Sequence, residues 1–153
     1  MTAETETLTR LIREIRTCFN QLRSLAESLG ADLEVNPSMR AIMESLFRDV
    51  PMTVPDLAKE RGTSRQHVQK VINGLLDQGL VTVVENPEHK RSVLYLLSPK
   101  GEGVFAEIRQ REAAPMRALS EALDQAEIEN TAAVLSRMND QLNQLINQGE
   151  KTQ

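Results

Sequence analysis

The side chains best suited to chemistry in this chain are concentrated between Thr63 and Asn73. This stretch carries no carboxylate, and its polar residues are Ser64, Arg65, Gln66, His67, Gln69, Lys70 and Asn73. In the major groove of DNA, glutamine and asparagine can pair with two positions of adenine, and arginine or lysine can pair with guanine. A serine at the start of a helix suits a phosphate. The segment therefore predicts a surface that contacts DNA, although any solvated helix also presents polar residues to water.

The apolar residues around these side chains predict how they are positioned. Val68, Val71, Ile72 and Leu75 recur at helical spacing, so they should be buried while the polar face points outward. A shorter helix should precede this one, beginning at Thr53 and ending at Gly62. Two valine-rich strands, 80–85 and 92–97, should follow it. The order helix, turn, helix, hairpin predicts a winged helix-turn-helix.

The tip of the predicted hairpin, residues 86–92, is the wing, and it carries His89, Lys90 and Arg91. Basic side chains on such a loop can reach the DNA backbone or a narrow minor groove. The formal net charge of the chain is −4, but residues 57–91 hold six basic residues against four acidic ones. The local field at a contact surface steers a polyanion more than the total charge does. Ordinary solvated surface charge remains the alternative.

Long amphipathic helices are predicted on both sides of this module. Leucine, isoleucine and cysteine recur every three or four residues from about Glu6 to Leu29, and a similar stripe runs from Ile128 to Ile146. These stripes exceed what one small module can cover, so we expect a homodimer; an intramolecular helical bundle is the alternative. The expected fold is mainly α with a small β-hairpin. Its expected parts are an N-terminal dimerisation helix (1–34), the DNA-binding module (35–100) and C-terminal dimerisation helices (101–153).

Several functional classes are poorly supported by the sequence. No apolar run approaches the roughly 20 residues that cross a bilayer, and an N-terminus with Glu4 and Glu6 is not a secretory signal. A single cysteine fits a reducing cytoplasm. Two histidines and one cysteine, far apart, do not form a zinc set. The chain has neither a phosphate-binding loop nor a nucleophile elbow. We therefore expect no metal, no cofactor, no membrane and no enzymatic activity.

Several of these segments together resemble the multiple-antibiotic-resistance-regulator (MarR) family. They are Ala58, Thr63-Ser-Arg-Gln-His-Val68, Leu75-Leu-Asp-Gln-Gly-Leu-Val81, Arg91 and Leu97-Ser-Pro-Lys-Gly101. The resemblance implies a dimeric bacterial transcriptional regulator, often a repressor, that binds a palindromic operator in double-stranded DNA. It also implies release of the DNA when a small phenolic or other aromatic effector enters a cleft between the dimerisation and DNA-binding regions.

The wing departs from the family pattern. The family usually carries Asp-x-Arg there; Arg91 matches, but His89 occupies the aspartate position. Either Glu88 substitutes as the brace of Arg91, or His89 adds a pH-dependent contact, or His89 is an ordinary surface residue.

Cys18 suggests an alternative function. The hydroperoxide-sensing branch of the family has a reactive cysteine followed by phenylalanine in its first helix, as in Cys18-Phe19 here. That branch activates the thiol with tyrosines, whereas the only tyrosine of this chain is Tyr95, in a predicted wing strand. A thiol-based peroxide sensor is therefore one alternative, and a winged-helix protein–protein adaptor without DNA binding is another.

Overall fold

Six α-helices and a two-stranded antiparallel sheet form residues 1–150, which are the residues that the computed structural model describes. The elements in chain order are α1 (Ala3–Gly30), a 3₁₀ turn (Ala31–Leu33), α2 (Pro37–Leu46), α3 (Val54–Arg61), α4 (Arg65–Asp77), β1 (Val81–Val84), β2 (Leu94–Leu97), α5 (Pro99–Ala122) and α6 (Gln125–Glu150). The predicted fold class, mainly α with a small β-hairpin in a winged helix-turn-helix, is confirmed.

The chain divides into two compact units, the first comprising Met1–Arg111 and the second beginning at Glu112. The first unit contains the hydrophobic core, where α4 packs against α2 and α3. The predicted inward side of α4 is buried there, with Val68, Ile72 and Leu75 at 0% exposure. Each such side chain stabilises the fold by about 1.5–3 kcal/mol. The division into residues 1–34, 35–100 and 101–153 stays a prediction.

Local signals in the sequence fix the helix-turn-helix. Thr53 and Asp56 form a capping box at the start of α3: the Asp56 amide donates to Thr53 Oγ1 at 3.2 Å, and the Thr53 amide donates to Asp56 Oδ2 at 3.4 Å. Gly62 ends α3 with a φ of +63°, a left-handed conformation that glycine adopts without strain. The chain can therefore turn sharply and begin α4 three residues later.

The hairpin is attached to the core at the end nearest the helices. β1 and β2 pair from Val81 with Leu97 to Val84 with Leu94. The backbone of Met52 extends the pairing, because it donates to the Tyr95 carbonyl at 3.1 Å and accepts from the Tyr95 amide at 2.9 Å. Both strands are shorter than predicted, since residues 85–93 form turns and irregular backbone instead of continuing the ladder.

The start of α5 lies against the end of α4. The Ser98 amide donates to the Leu80 carbonyl at 3.0 Å, and the Gly101 amide donates to Ser98 Oγ at 2.9 Å. A side-chain carbon at Gly101 would collide with the carbonyl oxygen of Leu80, so this close approach requires glycine. The hairpin is thereby held between α4 and α5.

Candidate DNA-binding surface

The exposed side of α4 forms the recognition surface, which we define as the seven polar residues predicted from the sequence. Ser64 caps the helix, since its Oγ accepts a hydrogen bond from the His67 amide at 3.1 Å. The apolar side of α4 faces the core, and this fixes the opposite side toward solvent. All members of the surface are exposed: Ser64, Arg65, Gln66, His67, Gln69, Lys70 and Asn73. The geometry predicted for them is present, and their contacts with DNA stay a prediction.

Two amides of the recognition surface are already hydrogen-bonded to each other. Gln69 Nε2 donates to Asn73 Oδ1 at 2.9 Å, one helical turn further along α4. The sequence spacing of four residues permits this contact but does not select it over contacts with solvent. The pair gives one part of the recognition surface a defined arrangement before any ligand binds.

The wing is organised by Asn86, which together with Pro87 marks the turn of the hairpin in the sequence. Asn86 Oδ1 accepts from the Glu88 amide at 3.1 Å, and the Asn86 carbonyl accepts from the His89 amide at 3.3 Å. This is the local hydrogen bonding by which asparagine stabilises turns, and the Asn86-Pro87 pair was the available signal. His89, Lys90 and Arg91 are exposed. Within residues 1–150, no hydrogen bond or ion pair joins Glu88 to Arg91.

An open cleft of about 460 Å³ lies between α2, α3 and α5 of the first unit. Its aromatic part consists of Phe47 and Phe105, whose ring centroids are 5.0 Å apart at an interplanar angle of 58°. The guanidinium of Arg109 lies over Phe47 at 5.2 Å, and that of Arg40 lies over Phe105 at 5.8 Å. The sequence analysis did not locate this cleft, because its lining residues come from segments that are remote from one another in the chain.

Ion pairs at the rim of the cleft connect α2 to α3. Arg48 pairs with Glu60, and Arg61 pairs with Glu44 at 3.0 Å while its Nε donates to Ser45 Oγ at 2.7 Å. Partial burial would raise the pKa of the Glu44 carboxyl, but Arg40 and Arg61 outweigh burial and lower it. Glu44 is therefore an anion at neutral pH and holds guanidinium groups from both helices.

The thiol of Cys18 is exposed on α1 and makes no hydrogen bond within residues 1–150. Tyr95 is buried in β2. The part of the chain that the structure describes has no group of three or more side chains suited to a metal. None of its helices combines the length and apolarity that a membrane span requires.

Comparison with known proteins decides the family. A sequence model of the MarR family matches residues 45–92, from the end of α2 through the wing. The crystal structure of a MarR family transcription regulator superposes with a TM-score of 0.75 at 28% identity, covering 95% of this chain and 96% of that one. The chain belongs to the MarR family. The family and the fold are those of DNA-binding transcription regulators and not of enzymes.

Other proteins extend the comparison. A protein found in both Mycobacterium tuberculosis and Mycobacterium bovis, named only as uncharacterized, is 32% identical over 131 residues, 86% of this chain and 91% of the relative. Two structures at 19% identity share the fold with a TM-score of 0.74. One is a MarR variant from E. coli complexed with operator DNA, covering 90% of this chain and 99% of that one. The other is Staphylococcus aureus MarR in complex with salicylate and kanamycin, covering 93% and 97%.

Proposed function

We propose that this MarR-family protein is a dimeric transcriptional repressor that binds a palindromic operator and releases it when a small aromatic ligand binds. The observation that carries the proposal is the exposed, carboxylate-free side of α4, next to a hairpin whose tip presents three exposed basic or titratable side chains. This arrangement lets one helix enter a major groove while the wing contacts the adjacent backbone or minor groove.

The roles within the recognition surface follow from side-chain chemistry. Gln66, His67, Gln69, Lys70 and Asn73 contact base edges, where each good bidentate pair is worth about 1–3 kcal/mol of discrimination. Ser64 and Arg65, at the N-terminal end of α4, hold phosphate. Lys90 and Arg91 anchor the wing, with His89 beside them. A relative of the same fold was crystallised with operator DNA, which supports this assignment.

Exposed apolar side chains support a homodimer. In α1, Phe19 is 61% exposed, and in α6, Leu145 and Ile146 are 63% and 59% exposed. Apolar stripes of this extent are costly in water, and a second copy of the same stripes is the partner that is always available. In a symmetric dimer, two recognition helices address half-sites about one helical turn apart, roughly 10 base pairs, which is why the operator should be palindromic.

The cleft between α2 and α5 supports release by a small ligand. The exposed ring of Phe47, which packs on the buried ring of Phe105, and the neighbouring guanidinium groups suit a flat aromatic molecule that carries a carboxylate or phenolate. Such an anion would compete with Glu44 and Glu60 for arginines that now join α2 to α3, the first helix of the helix-turn-helix. A ligand in the cleft would therefore weaken the ion pairs that hold α3, and through α3 it would affect the DNA-binding surface.

A binding assay with fluorescent random-sequence duplexes tests the proposal. A DNA-binding regulator should bind them at low salt with an affinity that falls steeply as salt rises, because bound phosphates release counterions. Repeated selection of the bound duplexes should then return a palindromic site. A protein–protein adaptor would show no salt-sensitive affinity, and that result would overturn the proposal.

A further inference from the structure

The hydrogen bond between Gln69 and Asn73 determines which groups of Gln69 remain available to a base. We propose that Asn73, which was grouped above with the base-reading residues, acts instead as a positioning residue that orients the Gln69 amide, and that the recognition surface thereby selects adenine at one position of each half-site. The inference rests on the proposed DNA-binding function and adds the base that this pair reads.

A count of hydrogen-bonding groups leads to adenine. A glutamine amide has two N–H donors and one oxygen with two lone pairs. One donor of Gln69 is used on Asn73 Oδ1, which leaves one N–H and the whole of Oε1. Adenine presents an N–H donor at N6 and an acceptor at N7 in the major groove, whereas guanine presents two acceptors there. One remaining donor and one remaining acceptor match adenine and not guanine.

The contact also opposes the alternative orientation of Gln69. Rotating the Gln69 amide alone by 180° would bring Oε1 against Asn73 Oδ1, so two acceptors would face each other; the hydrogen bond survives only if both amides reverse together. A glutamine held in one orientation also loses less side-chain freedom when DNA binds. Both side chains are exposed on α4, so neither is held in place by the hydrophobic core.

The experiment measures base discrimination by four variants on the best duplex recovered by selection. The variants are Gln69→Ala, Asn73→Ala, the double variant and Asn73→Asp, which keeps an oxygen acceptor for Gln69. At each adenine of the half-site, affinity is compared among adenine, purine, which lacks the N6 amino group, and 7-deazaadenine, which lacks N7. Because both positions are solvent-exposed in a helix, alanine should leave the fold intact, and circular dichroism checks this.

The wild-type protein should prefer adenine over both analogues at one position by about 5- to 150-fold. Gln69→Ala and Asn73→Ala should both abolish that preference at the same position, and the double variant should be no worse than Gln69→Ala. Asn73→Asp should keep the preference while binding every duplex more weakly, because its charge faces phosphates. Gln66→Ala is the control: it should relax a different position, and its effect should add to that of Asn73→Ala.

Three results would overturn the inference while leaving DNA binding intact. Asn73→Ala could leave all discrimination unchanged, or it could relax a position other than that of Gln69, which would mean that Asn73 reads its own base. Selection of guanine at the Gln69 position would also overturn it. That result would mean that Gln69 accepts a hydrogen bond from Asn73 and presents two N–H donors to the base. Absence of salt-sensitive duplex binding by the wild-type protein is a different failure, because it removes the proposed function and this inference with it.

Discussion

Arg111 of α5 binds both carboxylate oxygens of Asp32, in the turn that follows α1. Nη1 lies 2.5 Å from Oδ1 and Nη2 lies 3.0 Å from Oδ2, while Nη1 also donates to the Leu29 carbonyl at 2.9 Å. Glu107, one turn earlier on α5, accepts from Arg111 Nε at 3.0 Å. The bidentate hydrogen bond lowers the pKa of the Asp32 carboxyl, and the same contact raises the pKa of Arg111. One guanidinium therefore joins the last turn of α1 to α5.

This contact predicts a specific loss of stability in acid. Since the pKa of Asp32 is lower in the folded state than in the unfolded chain, the stabilisation is complete above the unfolded value near 4 and disappears as the pH falls through the folded value. Asp32→Asn should therefore lower the thermal unfolding midpoint at pH 7. Its difference from wild type should shrink as the pH falls below about 4, when thermal unfolding is followed by circular dichroism.

Asp77→Asn is the matched control for this experiment, because Asp77 is exposed and makes no hydrogen bond or ion pair within residues 1–150. Its unfolding midpoint should track wild type at every pH. The pKa of Glu44 is also lowered. Because Glu44 is present in all three proteins, its effect on stability cancels when they are compared. A difference between wild type and Asp32→Asn that stays constant down to pH 3 would show that the carboxylate charge is not what matters.

Gly101 provides a packing prediction. Gly101→Ala should destabilise the protein by about 1–3 kcal/mol, because the added methyl group would collide with the Leu80 backbone. Gly103→Ala lies in the same turn of α5 with no neighbour within 4 Å, so it should stabilise by about 0.5–1 kcal/mol through helix propensity. Urea unfolding of both variants measures the effect. Equal effects of the two substitutions would contradict the close approach of α5 to Leu80.

Signals that act within a few residues made the helix-turn-helix predictable. Thr53 and Ser64 cap their helices, Gly62 takes the left-handed conformation, and the apolar period of α4 gives the buried side. The Arg111–Asp32 contact joins residues 79 positions apart, and the Phe47–Phe105 contact is similarly remote in sequence. Nothing in the local pattern selects one distant partner over another, so the cleft and this ion pair emerge only from the folded chain.

The wing gives a prediction about salt. Arg91→Ala should weaken binding to all duplexes, and it should reduce the slope of log affinity against log salt by about 0.9 if one phosphate contact is lost. Arg137→Ala removes the same charge from an exposed position of α6, outside the proposed DNA-binding surface, and should leave the slope unchanged. Fluorescence anisotropy at four or five salt concentrations gives both slopes. Identical slopes for wild type and Arg91→Ala would remove Arg91 from the contact surface.

The exposed apolar side of α6 predicts the oligomeric state. Leu145→Asp combined with Ile146→Asp should convert a dimer to monomers, because burying two carboxylates in an apolar interface is unfavourable. Asn143→Asp adds a carboxylate to an exposed polar position of the same helix, and it should leave the dimer intact. Sedimentation velocity distinguishes the two states. A wild-type protein that sediments as a monomer would refute the dimer directly.

The cleft can be tested with salicylate, a flat aromatic carboxylate, and with salicylamide as its uncharged analogue. If an anion binds among the stacked guanidinium groups, salicylate should weaken operator binding, and salicylamide should have a much smaller effect at the same concentration.

Arg109→Gln should reduce the effect of salicylate about tenfold, because roughly one charge-assisted hydrogen bond to the ligand is lost. Without salicylate its operator affinity should be close to wild type, because Arg109 lies on α5 and not on the recognition surface. Glu44→Gln should act in the opposite direction, since it removes the carboxylate that now holds Arg61 and leaves that guanidinium available to the ligand. If salicylate releases the operator equally well from all three proteins, the ligand acts at another place on the molecule.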